Sequence, residues 1–332
     1  MRIRIDEELN NATFSISNLV EDQTLHGQKP SVMSKVNFGN FKLLKGYLII
    51  AVSSRSRINN VTKWKIALNE IALTRTFRPY LEYEMSDKIY QALFVYDVSK
   101  ILSATQPEAI FKLKYEGKEP ITVNVASMIT FHSYSEGSIK VSCIAEVFNL
   151  NNYVLDLSPH AVTMQRHREG VLYLGIVSEQ NSELKIIDSN GNNLMVHPLG
   201  KGFNFIESGL KHTWTNMLTL KCEDSLARHI FHCTAYTTLE YPNINIRRYS
   251  INNNYLELAL VNESSTAADN CEIIVLKTGT IIQRLHVDTL HAGEERTIKM
   301  PLSNKISGKV TIRLIWRKAL KVFIKDQAIE LK

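Results

Sequence analysis

A chain of 332 residues, 44% hydrophobic and 22% charged, is ordinary for a globular protein and long enough for two or three domains. No run approaches the roughly 20 apolar residues of a membrane-crossing helix, and Met1-Arg2-Ile3-Arg4-Ile5-Asp6 has no apolar signal region, so a cytoplasmic protein is expected. A net charge of +6 favours solubility without specifying a partner.

Strand signals run almost end to end: short β-branched and aromatic runs punctuated by Asn, Gly, Ser and Asp. From about residue 38 to 133 the strand candidates are Tyr47–Ser53, Lys63–Ile71, Ala92–Val98, Glu108–Tyr115 and Ile121–His132. Asp97 and Ser99 sit at a corner after the third of these, where they should cap the turn through their own backbone. An internal echo follows. Tyr47-Leu48-Ile49-Ile50 is answered by Val171-Leu172-Tyr173-Leu174, Phe111–Tyr115 by Leu218–Cys222, and Ile129–His132 by His229–His232. Asn190-Gly191 marks a tight hairpin turn in the second copy. Residues 138–158 read as connecting strands.

Past Pro242 the pattern becomes a seven-stranded sandwich. Val310, Ile312, Leu314 and Trp316 alternate cleanly, and Lys277-Thr278-Gly279-Thr280 is a hairpin turn. The stretch Trp316–Asp326 reads as a bent final hairpin, with a short basic amphipathic helix as the competing assignment.

The corner Asp97-Val98-Ser99-Lys100-Ile101-Leu102 resembles those of galactose-binding-like jelly rolls. The last module resembles fibronectin-III or CARDB-type immunoglobulin-like domains through Leu258–Asn262, the 277–280 turn and Arg296–Met300. The expected fold is therefore all-β: tandem antiparallel β-sandwiches, two jelly-roll-like units over 1–158 and 159–241, then an immunoglobulin-like domain over 242–332. The resemblance implies a carbohydrate as one ligand class. Aromatic faces stack on sugar rings, so Trp64, Tyr80, Tyr83 and Trp214 are the candidate contacts, each equally eligible for core packing.

Chemistry-bearing motifs are sparse. Neither Gly-x-Ser-x-Gly nor His-Glu-x-x-His occurs. Gly200-Lys201-Gly202 lacks the rest of a phosphate loop and reads as a turn into the strand Phe203–Ser208, with the glycines supplying positive φ. His229 and His232 with Cys222 and Cys233 invite a metal reading, but a regular strand sends His232 to the opposite face from His229 and Cys233. Cys222 and Cys233 could instead form a hairpin disulfide. Glu82, Glu84 and Asp87 form an oxygen-rich loop to which calcium is the one cofactor to consider.

Basic residues gather at Arg55 and Arg57, at Arg166 and Arg168, at Arg247 and Arg248, and from Arg313 to Lys325. No aromatic platform interleaves them, so nucleic acid is not expected as a partner. The expectation is a non-catalytic binding or scaffolding protein that self-associates or meets a protein partner. The alternatives are a carbohydrate-binding protein, or accessory module of a sugar-active enzyme, and a viral or particle-forming structural protein.

Overall fold

The computed structural model describes residues 2–38, 41–58, 64–73, 79–85, 88–103, 108–157, 169–210, 217–223, 227–252, 255–302 and 308–331. The described residues are almost all strand. They form two compact units, Met1–Leu239 and Glu240–Lys332.

The first unit runs β1 (Ile3–Leu25), β2 (Ser31–Asn37), β3 (Leu43–Ser54), β4 (Trp64–Leu68), β5 (Ile71–Ala72), β6 (Leu81–Glu84), β7 (Tyr90–Asp97), the single turn of helix α1 (Ser99–Ser103), β8 (Glu108–Tyr115) and β9 (Ile121–Asn149). It continues through β10 (Tyr153–Asp156), β11 (Glu169–Ser178), β12 (Ser182–Asp188), β13 (Asn193–Leu199), β14 (Gly202–Leu210), β15 (Met217–Cys222) and β16 (Arg228–Thr237). Pairing resolves these into two jelly rolls of the same topology. In the first, β1-β9-β3-β7 faces β2-β8-β4-β5; in the second, β9-β16-β11-β14 faces β10-β15-β12-β13. The echo in the sequence falls on matching strands, β3 with β11 and β8 with β15.

Strand β9 serves both rolls. Its partner on one edge changes from β3, last paired at His132, to β16, first paired at Ile139, while β1 follows its other edge from Leu25 back to Ile3. The change of roll therefore lies within β9. Residues 139–149 and β10, which the sequence places with the first sandwich, pair within the second.

Three cores follow from this stacking. Leu48, Ile50 and Val52 point into the first roll with Trp64, Phe94, Phe111 and Leu113. Ile49 and Ala51, on the other face of β3, join Phe131, Cys143, Phe231 and Cys233 in a core between the rolls. A strand covered on both faces needs an uninterrupted apolar run, which is why Leu48–Val52 shows no alternation. Leu172, Leu174 and Ile176 build the third core with Leu184, Ile186, Leu218 and Leu220.

Local devices hold the connections. Asp97 Oδ1 accepts the Ser99 N–H at 2.9 Å, and Ser99 Oγ accepts the Gly46 N–H at 3.0 Å, so this corner is capped as its residues imply. At the β12–β13 turn, Gly191 has φ +84° and the Asp188 carboxylate accepts the backbone N–H groups of Asn190 and Asn192.

The disulfide also departs from the sequence reading. Cys233 lies directly opposite Cys143 on neighbouring strands and is bonded to it, while Cys222 is a buried free thiol on β15. Cys222 and Cys233 occupy different sheets, so the hairpin that would join them does not exist.

The second unit contains β17 (Ile244–Asn252), β18 (Tyr255–Asn262), β19 (Asn270–Lys277), β20 (Thr280–Val287), β21 (Glu295–Pro301), β22 (Gly308–Lys318) and β23 (Lys321–Leu331). A three-stranded sheet, β17-β18-β21, packs on a four-stranded one, β20-β19-β22-β23, giving the expected immunoglobulin-like sandwich. Trp316 is buried and its indole N–H donates to the Pro242 carbonyl at 2.9 Å, so the polar end of the ring is satisfied. The stretch Trp316–Asp326 is a hairpin turning at Ala319, not a helix.

Candidate functional site

Two polar features lie near the start of β16, on opposite sides of the strand. The first is a cleft of about 400 Å³ lined by residues from both rolls, among them Asp22, Ser53, Thr122, Asn124, Glu179 and Arg228. Ser53 Oγ lies 2.9 Å from Gln91 Oε1 and 2.6 Å from Asn124 Oδ1, and Gln91 Nε2 donates to the same Asn124 oxygen at 3.1 Å. Thr24 and Thr122 hydroxyls meet at 3.1 Å. On the other wall, the buried Arg228 guanidinium pairs with Glu179.

Asp22 stands at the rim. It has φ +46°, and its carboxylate accepts the Phe203 N–H at 2.6 Å. Loss of hydration raises its pKa from the usual carboxylate value, opposed by that hydrogen bond and aided by Glu21 and Glu179 nearby. Gly202 matches this arrangement twice over: its φ is +100°, and a Cβ there would meet Asp22 Oδ2 at 2.2 Å. The Gly200-Lys201-Gly202 turn thus leads into β14 as the sequence implies. Its amides are taken up by the chain itself: Gly200 N–H donates to Asn204 Oδ1 at 2.8 Å, Lys201 N–H to Asn181 Oδ1 at 3.2 Å and the following Phe203 N–H to Asp22.

The second feature sits at the end of the second roll. Ile230 and Phe231, neighbours in sequence, both point into the core between the rolls. This is a β-bulge: the register of β16 against β11 slips between Gly175 and Ile176, and against β9 between His229 and Phe231. The extra residue turns His229 and His232 to one side, with His229 Nε2 and His232 Nδ1 3.1 Å apart. Glu146 on β9 completes a group whose ligand atoms lie within 4.8 Å of one another. Tyr153 on β10 stacks on His229 at 5.0 Å and donates its hydroxyl to Glu146 Oε1. Complete burial lowers the His229 pKa to about 3, against a smaller opposing influence of the Glu146 backbone, so the ring is neutral at physiological pH.

The aromatic and acidic candidates fare differently. Trp64 is 4% exposed, edge-on to Phe94 at 4.9 Å in the first core, and has no face to offer a sugar. Tyr80 and Tyr83 are exposed; Trp214 and Asp87 lie outside the described residues. Glu82 accepts the Ile58 N–H at 2.8 Å and Glu84 pairs with Arg57 at 3.5 Å, so the loop considered for calcium has both described carboxylates engaged. Neither the cleft nor Glu146 stood out in the sequence, because their residues come from strands far apart in the chain.

No family model matches the chain, and no curated protein matches it either. Among solved structures it is similar to the beta-glucuronidase of Ruminococcus gnavus, at 9% identity and TM-score 0.22, over 57% of this chain and 35% of that one. It is also similar to the beta-D-glucuronidase of Dictyoglomus thermophilum, at 11% identity and TM-score 0.21, over 99% of this chain and 44% of that one. The chain spans less than half the length of either enzyme, and superpositions this loose do not bear on what it binds.

Proposed function

We propose that this chain is a non-catalytic binding protein whose first unit takes a hydroxyl-rich ligand of saccharide type in the cleft between the rolls. The chemistry of the cleft supports this reading. Hydroxyls, a carboxamide, carboxylates and a guanidinium converge there, the donor and acceptor set that recognises vicinal hydroxyls. Binding is favoured over hydrolysis because both carboxylates are engaged with the frame, Asp22 with the Phe203 N–H and Glu179 with Arg228. A panel of neutral and acidic saccharides tested by thermal shift is expected to contain a compound that raises Tm in proportion to the logarithm of its concentration. Thr122→Val and Lys201→Ala should each weaken that effect. A panel without any stabilising compound at about a hundred times a typical lectin-range Kd would refute the reading.

Association with a protein partner or a second copy is the other reading, and β23 favours it. This edge strand presents Val322 at 47% and Ile324 at 61% exposure. Unprotected strand edges with apolar side chains pair readily with another chain. Light scattering across a concentration series is expected to show assembly that Ile324→Lys abolishes.

A further inference from the structure

The bulge in β16 has a chemical consequence of its own. Histidines three apart on a regular strand face opposite ways. Here they converge, and a carboxylate from the neighbouring strand meets them. We propose that His229 Nε2, His232 Nδ1 and the Glu146 carboxylate form a binding site for a divalent transition metal ion, with zinc as the best fit.

The spacing fits one shared ion. Two imidazole nitrogens each about 2.0–2.1 Å from a metal, at angles between octahedral and tetrahedral, lie roughly 2.9–3.4 Å apart. The observed separation is 3.1 Å. A direct hydrogen bond between neutral rings has the same length, so distance alone does not choose between them. The surroundings favour the ion. Tyr153 fixes the His229 ring by stacking and holds one carboxylate oxygen of Glu146 through its hydroxyl, the outer-shell support that orients metal ligands. Two histidines and a carboxylate suit zinc and its neighbours rather than calcium or magnesium, and leave room for water or a ligand to complete the coordination. The matching position in the first roll is Ile129, so the site belongs to the second roll alone.

The test uses the full chain, freed of metal by chelator. Titration with Zn²⁺ is expected to give one equivalent bound per chain by calorimetry, and Co²⁺ should develop the visible bands of a low-coordinate nitrogen and oxygen site. In ¹⁵N-labelled protein, Zn²⁺ should shift one imidazole nitrogen each of His229 and His232. Tyr153→Phe should weaken binding about ten- to a hundredfold, and His232→Gln and Glu146→Gln more than that. Tyr153 and Glu146 are only partly buried, so at least these two variants should fold. Three results would each overturn the proposal: no zinc bound by wild type, affinity within threefold of wild type in Glu146→Gln, or shifts confined to other histidines. The last would place the metal elsewhere and leave a plain hydrogen bond between the rings.

Discussion

His132 shows how much one buried polar ring can shape the behaviour of this molecule. It is fully buried on β9, its Nε2 lies 2.9 Å from Thr130 Oγ1, and the Phe38 ring covers it at 5.5 Å. Burial lowers its pKa to about 4, against the smaller opposing influence of a hydrogen bond to the Phe41 backbone. The unfolded chain, with an ordinary pKa near 6.5, then binds more protons than the native state between pH 6.5 and 4. The stabilisation is complete above pH 6.5 and is lost as pH falls toward 4, at up to about 1.4 kcal/mol per pH unit. Urea unfolding of wild type and His132→Gln across this window should show the difference between them shrinking as pH falls. A constant difference would contradict the assignment. Histidines are the residues whose burial the sequence conveys least, since His132 and His229 sit in ordinary strand patterns. Trp64 is the opposite case: core packing was an open option for it, and it is buried edge-on to Phe94.

At the level of elements, the alternating strands were legible and the doubly covered ones were not fully. Val310, Ile312, Leu314 and Trp316 could be assigned a face from their spacing, because only one side of β22 meets a core. Leu48–Val52 could be recognised as a strand, but not as one between two cores, because a continuous apolar run carries no face. The bulge at Ile230 was invisible for a related reason: parity arguments assume a regular pleat, and one inserted residue reverses them. Cystine pairing likewise depends on register. Cys143 and Cys233 are separated by 90 residues and meet only because β9 and β16 are neighbours. Alkylation in denaturant without reductant should label Cys222 and Cys271 alone, with all four cysteines labelled after reduction. Replacing the pair with serine is expected to cost roughly 2–5 kcal/mol of stability, read from the urea midpoint of the first unit.

For the molecule as a whole, the two compact units differ in how self-contained they are. Every residue of the core that contains Trp316 lies between Ile244 and Ile329. Residues 240–332 expressed alone should therefore give a cooperatively folded sandwich, whose melting transition coincides with one of two seen by calorimetry in the full chain. A broad, non-cooperative transition for the fragment would show that it needs the rest of the protein. The two rolls are not separable in this way. A cut at 158 would separate residues 139–149 of β9 from β16, their partner on the far side of the cut. The class of fold and the last module could be read from local alternation; the sharing of β9 could not, because it is a property of long-range pairing.

That sharing sets an order of events during synthesis. The middle of β1 can find its partner once residue 133 has left the ribosome, closing the first roll. Ile3 through Asn10 pair with residues from Ser138 to Ala145, and β9 there waits in turn for β16, which ends at Thr237. At ~5–20 residues per second, the interval between the two closures is on the order of ten seconds. Throughout it, the nascent chain displays an unpaired edge bearing Ile139, Val141 and Cys143. These are the apolar surface and reactive thiol that a chaperone or an oxidoreductase would meet before the second roll covers them.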